Sequence, residues 1–267
     1  MKLIITIDTE EDNWGHYSPT GHTLENIDRI PLLQRLFDDF NVKPTYLISY
    51  PVAVNDKCVS ILREIDKADK CEIGMHCHPW NTPPFDEETN ERNSMLCNLS
   101  KELQYKKLSI LHQTIQNNFG ITPVSFRAGR LGYNRDLAEN LYRLGYKVDT
   151  SITAYTDWTR YYGPDFSNIA PQPFRYSCEN IFQESSNGQL LEVPATIGYL
   201  QQNFALCNYL VKILSKRPLN KLRLIGLLNK LNLLNKVLLS PEVSDSKSMV
   251  GLVKCLIKKD FKFINFI

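Results

Sequence analysis

Lys2-Leu3-Ile4-Ile5-Thr6-Ile7-Asp8-Thr9-Glu10-Glu11-Asp12 is an apolar run that stops abruptly in acid. Side chains alternate along an extended strand, so Asp8 and Glu10 share one face. Two carboxylates directly after a buried strand are costly unless they are paired or held by a cation. The start of a solvated loop has the same composition, and alone the cluster decides nothing. A secretion signal needs a longer apolar stretch and a small-residue cleavage site. A buried strand over Lys2–Asp8 is therefore expected.

Outward from this strand, the chain alternates between two periodicities. Leu24–Phe40 carries apolar residues near a 3.6 period and reads as a helix. Thr45–Ser49 reads as a strand, Cys58–Ala68 as a helix and Glu72–His78 as a strand. Lys101–Phe119 is a long helix stopped by Gly120. Then follow Val124–Arg127 (strand), Arg135–Leu144 (helix, with Gly145 as its stop), Lys147–Ser151 and Leu190–Pro194 (strands). A mostly helical stretch over Asn203–Asn235 breaks at Pro218, and Lys247–Lys259 is a last helix before Phe261–Ile267. Strands alternating with helices imply βαβ units and a parallel sheet. The expected fold is α/β, an irregular parallel barrel of about seven strands, as one domain over residues 1–267. In such barrels the chemistry gathers at the C-terminal ends of the strands.

Two further strand ends meet that rule. Met75-His76-Cys77-His78-Pro79-Trp80 puts His76 and His78 on one face. Two imidazoles and a carboxylate from a neighbouring strand supply the three protein ligands of a catalytic zinc, so Glu10, His76 and His78 are expected to hold one divalent ion. Phe126-Arg127-Ala128-Gly129-Arg130 places Arg127 at the same mouth, where a guanidinium can grip a carboxylate and keep it ionised. Trp80, Tyr133 and the Tyr155–Trp158 stretch with Asp157 offer walls for a substrate, ordinary loop packing being the other reading.

Composition narrows the classes further. The chain has 267 residues, 43% of them apolar, enough for a full-sized core. No run of about 18 apolar residues exists to span a membrane. Seven cysteines form no CxxC pair, and their odd number argues against a complete disulfide framework. Reduced thiols in the cytoplasm are expected. The net charge of +2 hides an asymmetry: residues 200–267 carry 12 Lys/Arg against 3 Asp/Glu, leaving 19 against 26 before them. Nothing points to nucleic acid. Over Asn203–Leu239 the leucines and lysines suit a helix pair packed on the barrel wall, with at most a weak, salt-sensitive membrane contact. Oligomeric state is not readable.

The order and spacing of Asp8-Thr9-Glu10, His76-x-His78-Pro79-Trp80 and Phe126-Arg127-Ala128-Gly129-Arg130 resemble the polysaccharide deacetylases, the NodB-homology proteins of carbohydrate esterase family four. They are most similar to a cytoplasmic branch from surface-polysaccharide (O-antigen or capsule) loci. The resemblance implies a NodB-like barrel that removes an N-acetyl group from a sugar or glycan. It implies Asp8 as general base, Glu10 as acidic metal ligand, His76 as first ligand His and Arg127 as the residue tuning the base. Three departures stand out. Asp8-Thr9-Glu10 replaces an adjacent Asp pair. His76-Cys77-His78 replaces His-x-x-x-His, with Trp80 where the second His is expected, so His78 rests on strand geometry. The Phe-His-Ser segment that supplies the general acid in typical members is missing. Truncation is expected to explain this; otherwise His16, His22 or Asp157 protonates the leaving amine. Two rival functions remain: hydrolysis of a cyclic amide or ureide on the same fold, and a catalytically inactive binding protein in glycan assembly.

Overall fold

The computed structural model describes residues 1–12, 15 and 17–267, and His16 lies outside the described residues. The strands are β1 (Lys2–Thr9), β2 (Thr45–Ile48), β3 (Glu72–Cys77), β4 (Ser125–Ala128), β5 (Val148–Asp149), β6 (Phe174–Ser177), β7 (Asn180–Glu184), β8 (Leu190–Glu192), β9 (Ile197–Tyr199), β10 (Lys236–Leu238) and β11 (Phe263–Phe266). The α-helices are α1 (Ile30–Asp39), α2 (Tyr50–Val54), α3 (Asp56–Lys67), α4 (Lys101–Phe119), α5 (Arg135–Arg143), α6 (Phe204–Leu214), α7 (Leu224–Lys230) and α8 (Ser246–Lys258).

One sheet runs in the order β11-β1-β2-β3-β4-β5-β8-β6-β7. Its first seven strands are mutually parallel, and β6 and β7 add antiparallel at the β8 edge. The fold is thus mixed α/β with a curled, parallel-dominated sheet. The expected seven strands are present, but they do not close by one continuous ladder. The seam runs between β11 and the chain just past β8: Thr196 N–H donates to Asn265 O (3.2 Å) and Asn265 N–H to Thr196 Oγ1 (2.8 Å).

Alternation sorts the side chains. Odd-numbered Ile73, Met75 and Cys77 of β3 enter the core between sheet and helices, together with Phe126, Leu111 of α4 and Leu137 of α5. Even-numbered His76 is left for the inside of the curl. The interior is narrow, since a Cβ on Gly74 would meet Leu47 Cδ2 at 2.6 Å and Ser125 O at 2.8 Å. Helix limits follow capping chemistry. Ser100 and Asn134 cap α4 and α5 through side chains that accept from Leu103 and Leu137, and α4 ends on Gly120 at φ 73°.

Two expectations change. The helix expected over Leu24–Phe40 is a 3₁₀ turn (Glu25–Arg29) followed by α1, because Pro31 fits only a first turn. The basic segment is packed on one side only in part. α6 buries Phe204, Cys207 and Asn208, whereas the 3₁₀ turn Leu219–Leu222 and α7 fully bury no residue. Among the described residues no helix is long and apolar enough to cross a membrane.

Candidate metal centre

The ends of strands β1, β3 and β4 lie together at one end of the curl. Parallel register sets His76 beside Arg127, and β2 separates β1 from β3. Glu10 follows β1 directly and His78 follows β3. Their carboxylate and imidazole atoms, with those of His76, lie within 4.8 Å of one another. Glu10 Oε2 is 3.3 Å from His76 Nε2 and 2.5 Å from His78 Nε2. Both rings are 2% exposed.

The donor set itself tests whether a cation fits. His76 Nδ1 lies 3.1 Å from Arg127 O, and a carbonyl can only accept, so Nδ1 carries the proton. In the neutral ring Nε2 then presents a lone pair toward Glu10. Two lone-pair atoms facing each other repel unless a proton or a metal ion lies between them. Burial would lower the His76 pKa, but the charge of Asp8 and then Glu10 push it up to about 8. Burial would likewise raise the Glu10 carboxyl, yet His78 and His76 pull it well below the usual carboxylate range. The cluster favours positive charge at its centre, and its nitrogen and oxygen donors fit a divalent ion.

Asp8 stands beside this cluster with a different partner. Arg127 Nη1 donates to Asp8 Oδ1 at 2.5 Å, and the Asp8 side chain is 34% exposed. The guanidinium is 1% exposed and held from three other directions. Nε donates to Thr150 O (3.0 Å), Nη2 to Thr150 Oγ1 (3.2 Å), and Nη2 also to Thr6 Oγ1. A charge-assisted contact from so fixed a donor orients the carboxylate.

The wall residues divide. Trp80 lies against the centre, its ring 4.1 Å from that of His78, and donates Nε1–H to Glu11 Oε1 (3.4 Å). Tyr133, expected at the substrate wall, is instead fully buried, its hydroxyl 2.5 Å from that of Tyr176, so it offers a ligand no surface. The intervening Gly129-Arg130-Leu131 turn points it into the core. Asp157 is exposed and caps its own turn by accepting from Thr159 N–H (2.9 Å). His22 Nδ1 faces Glu11 Oε1 at 4.0 Å.

Four supporting groups escaped the sequence reading. Glu11 is buried and accepts from Asn81 (2.7 Å) and Ser49 (3.3 Å) as well as Trp80, pinning the loop after His78. Lys107 is fully buried and donates to Pro79 O, Thr82 O and Pro84 O (2.8, 2.7 and 2.6 Å) while pairing with Glu87 at 2.8 Å. Thr6 and Asn265 back Arg127 from the seam. Thr6 shares the face of Asp8 by alternation, a usable signal; Lys107 in an amphipathic helix gives none.

Comparison with known proteins brings few likenesses. No family model and no curated protein matches the chain. Solved structures that resemble it include a protein from Mycobacterium smegmatis assigned as a polysaccharide deacetylase, 18% identical, covering 73% of this chain and 58% of that one, TM-score 0.47. A family 4 acetyl xylan esterase from Clostridium thermocellum, solved with cobalt, is 23% identical over 58% of this chain and 60% of that one, TM-score 0.37. A 4-alpha-glucanotransferase from Thermococcus litoralis is 14% identical over 99% of this chain but 32% of that one, TM-score 0.48. No score reaches one half, and this chain spans less than two thirds of each protein. Function therefore rests on the site.

Proposed function

We propose that the protein is a metal-dependent amide hydrolase that removes an N-acetyl group from an amino sugar or sugar-containing precursor of a surface polysaccharide. The observation that carries this reading is the juxtaposition of a Glu–His–His donor set with a separate carboxylate, Asp8, that Arg127 grips at 2.5 Å. Glu10, His76 and His78 would hold the ion, and their chemistry suits zinc. When bound, it supplies Lewis acidity that brings the pKa of water toward neutrality and offsets negative charge developing on a carbonyl oxygen.

The chain's own residues then have distinct tasks. Arg127 holds Asp8 aimed, since a buried and fixed guanidinium gives its carboxylate a charge-assisted contact. Asp8, one-third exposed, takes the proton of the attacking water and can pass it to the leaving nitrogen. Trp80, packed on His78 and tied to Glu11, closes one side and gives a sugar ring an apolar edge. Asp157 stands further out in the proposal as a polar contact to the glycan. All seven cysteines are free and five are buried, which supports a cytoplasmic setting.

Acetate release from N-acetylated amino sugars and short oligosaccharides tests the reading. The purified protein should release acetate, lose the activity to a chelator and regain it with zinc. Hydrolysis of cyclic amides alone would favour the ureide reading. Glycan binding with full metal content and no turnover would make it a binding protein.

A further inference from the structure

Between Glu192 and Glu242 the chain has no acidic residue, while it has seven Lys and Arg. Over the same stretch apolar side chains face outward: Leu206, Tyr209, Leu222, Leu227, Leu231 and Leu233 are each 51–65% exposed. They come from α6, the following 3₁₀ turn, α7 and the turn beyond it. The excursion is tied to the barrel by α6 and by Leu228, which packs with Leu210, Val211 and Leu214 on the second core cluster. Its outer side has no such partner. Single exposed leucines are ordinary, but a run of them on one excursion marks a surface that meets something.

Charge selects the occupant. Lys216, Arg217, Lys221, Arg223 and Lys230 are exposed and, among the described residues, form no ion pair. A second copy would bring the same cations against these, and like charges across an interface are unfavourable. A folded acidic partner would need a pocket for each of six scattered apolar groups. A fluid interface with anionic headgroups accommodates both features without matched pockets. We propose that the 204–233 excursion docks on an anionic lipid surface, its leucines and Tyr209 entering the headgroup layer and its cations holding phosphates. This goes beyond the expectation of at most a weak, salt-sensitive membrane contact.

Flotation of the full chain with two vesicle types tests it, at physiological salt where the screening length is about 8 Å. Recovery is expected with mixed phosphatidylcholine and phosphatidylglycerol, and not with phosphatidylcholine alone. Replacing Lys216, Arg217, Lys221 and Arg223 by Glu should lower the partition coefficient about 100-fold or more. Leu227→Gln with Leu231→Gln should lower it about tenfold while the thermal midpoint stays in place. Three outcomes would overturn the proposal. These are no recovery with the anionic vesicles, unchanged recovery of the charge-reversed variant, or concentration-dependent self-association that the Gln variant abolishes in the absence of vesicle binding.

Discussion

Gly129 shows what the centre demands of a single residue. A Cβ there would overlap His78 Nδ1 and sit 2.8 Å from Cys77 O, so the absence of a side chain is what seats the ring. Among the described residues His78 Nδ1 is buried without a hydrogen-bond partner, and none of them returns a displaced ring to place from that side. Gly129→Ala should therefore swing His78 off Glu10 and lower metal content by about tenfold or more at limiting zinc, as losing one of three ligands would. Elemental analysis after dialysis checks this, and full retention would remove His78 from the donor set. Asp8 behaves oppositely. Asp8→Asn keeps a shape that Arg127 can still contact but cannot take a proton, so turnover should fall roughly 10²-fold or more with metal content unchanged. Parallel loss of metal would mean that Asp8, not Glu10, supplies the ligand oxygen.

At the scale of elements, legibility in the sequence followed how local the cause was. The α4 helix runs over Lys101–Phe119 as expected, because Ser100 and Gly120 stop it at both ends by chemistry within a turn. The Glu10, His76 and His78 set was legible for the same reason, since the alternation of β1 and β3, carried one residue past each strand, brings the three side chains together. The hairpin of β6 and β7 was missed: Phe174–Ser177 and Asn180–Glu184 are short, polar and half exposed, and their pairing depends on β8. Tyr133 was misplaced because a turn after β4, not its own neighbours, aims it inward. A pair invisible to sequence lies on β5 and β8, where Asp149 stands opposite Glu192 and both are fully buried on the helix side. Burial pushes Asp149 up to about 6, against hydrogen bonds from Glu192 and Ser151, and burial followed by the charge of Asp149 pushes Glu192 well up. The folded protein thus holds more protons than the unfolded chain above the ordinary carboxylate range. This pair's contribution to stability is complete below about pH 4 and is lost as pH rises through 6. Asp149→Asn keeps the acceptor for Ser151 and removes one buried charge. Its stability relative to the unaltered protein should climb between about pH 4 and pH 8, by on the order of 1–3 kcal/mol. Urea midpoints across that range measure it, and a pH-independent difference would refute it.

For the whole molecule the decisive feature is how the curl is joined. β1 and β11, from opposite ends of the chain, pair in parallel from Lys2↔Phe263 to Ile5↔Phe266. The seam beyond them adds one side chain to the bonds between the Asn265 main chain and Thr196. Asn265 Oδ1 accepts from Thr6 Oγ1 (3.0 Å), and its Nδ2 donates to Thr150 Oγ1 (2.9 Å) and Val193 O (3.2 Å). Thr6 and Thr150 are also the hydroxyls that hold Arg127, so the join of the sheet and the aim of the base share atoms. Asn265→Ala would leave the Thr6 hydroxyl and the Val193 carbonyl buried without this partner and open a small cavity. The expected cost is about 2–4 kcal/mol of stability. Function should suffer by a separate route. The Asn265 side chain bonds Thr6, Thr150 and Val193 and none of Glu10, His76 and His78, so metal content should hold. Turnover should drop because Arg127 loses the backing that fixes Asp8. Denaturant unfolding, elemental analysis and rate measured on one preparation separate the two effects. If the variant unfolds at the unaltered midpoint with normal turnover, the sheet is held by its ladders alone and the Asn265 network has no part in positioning the base.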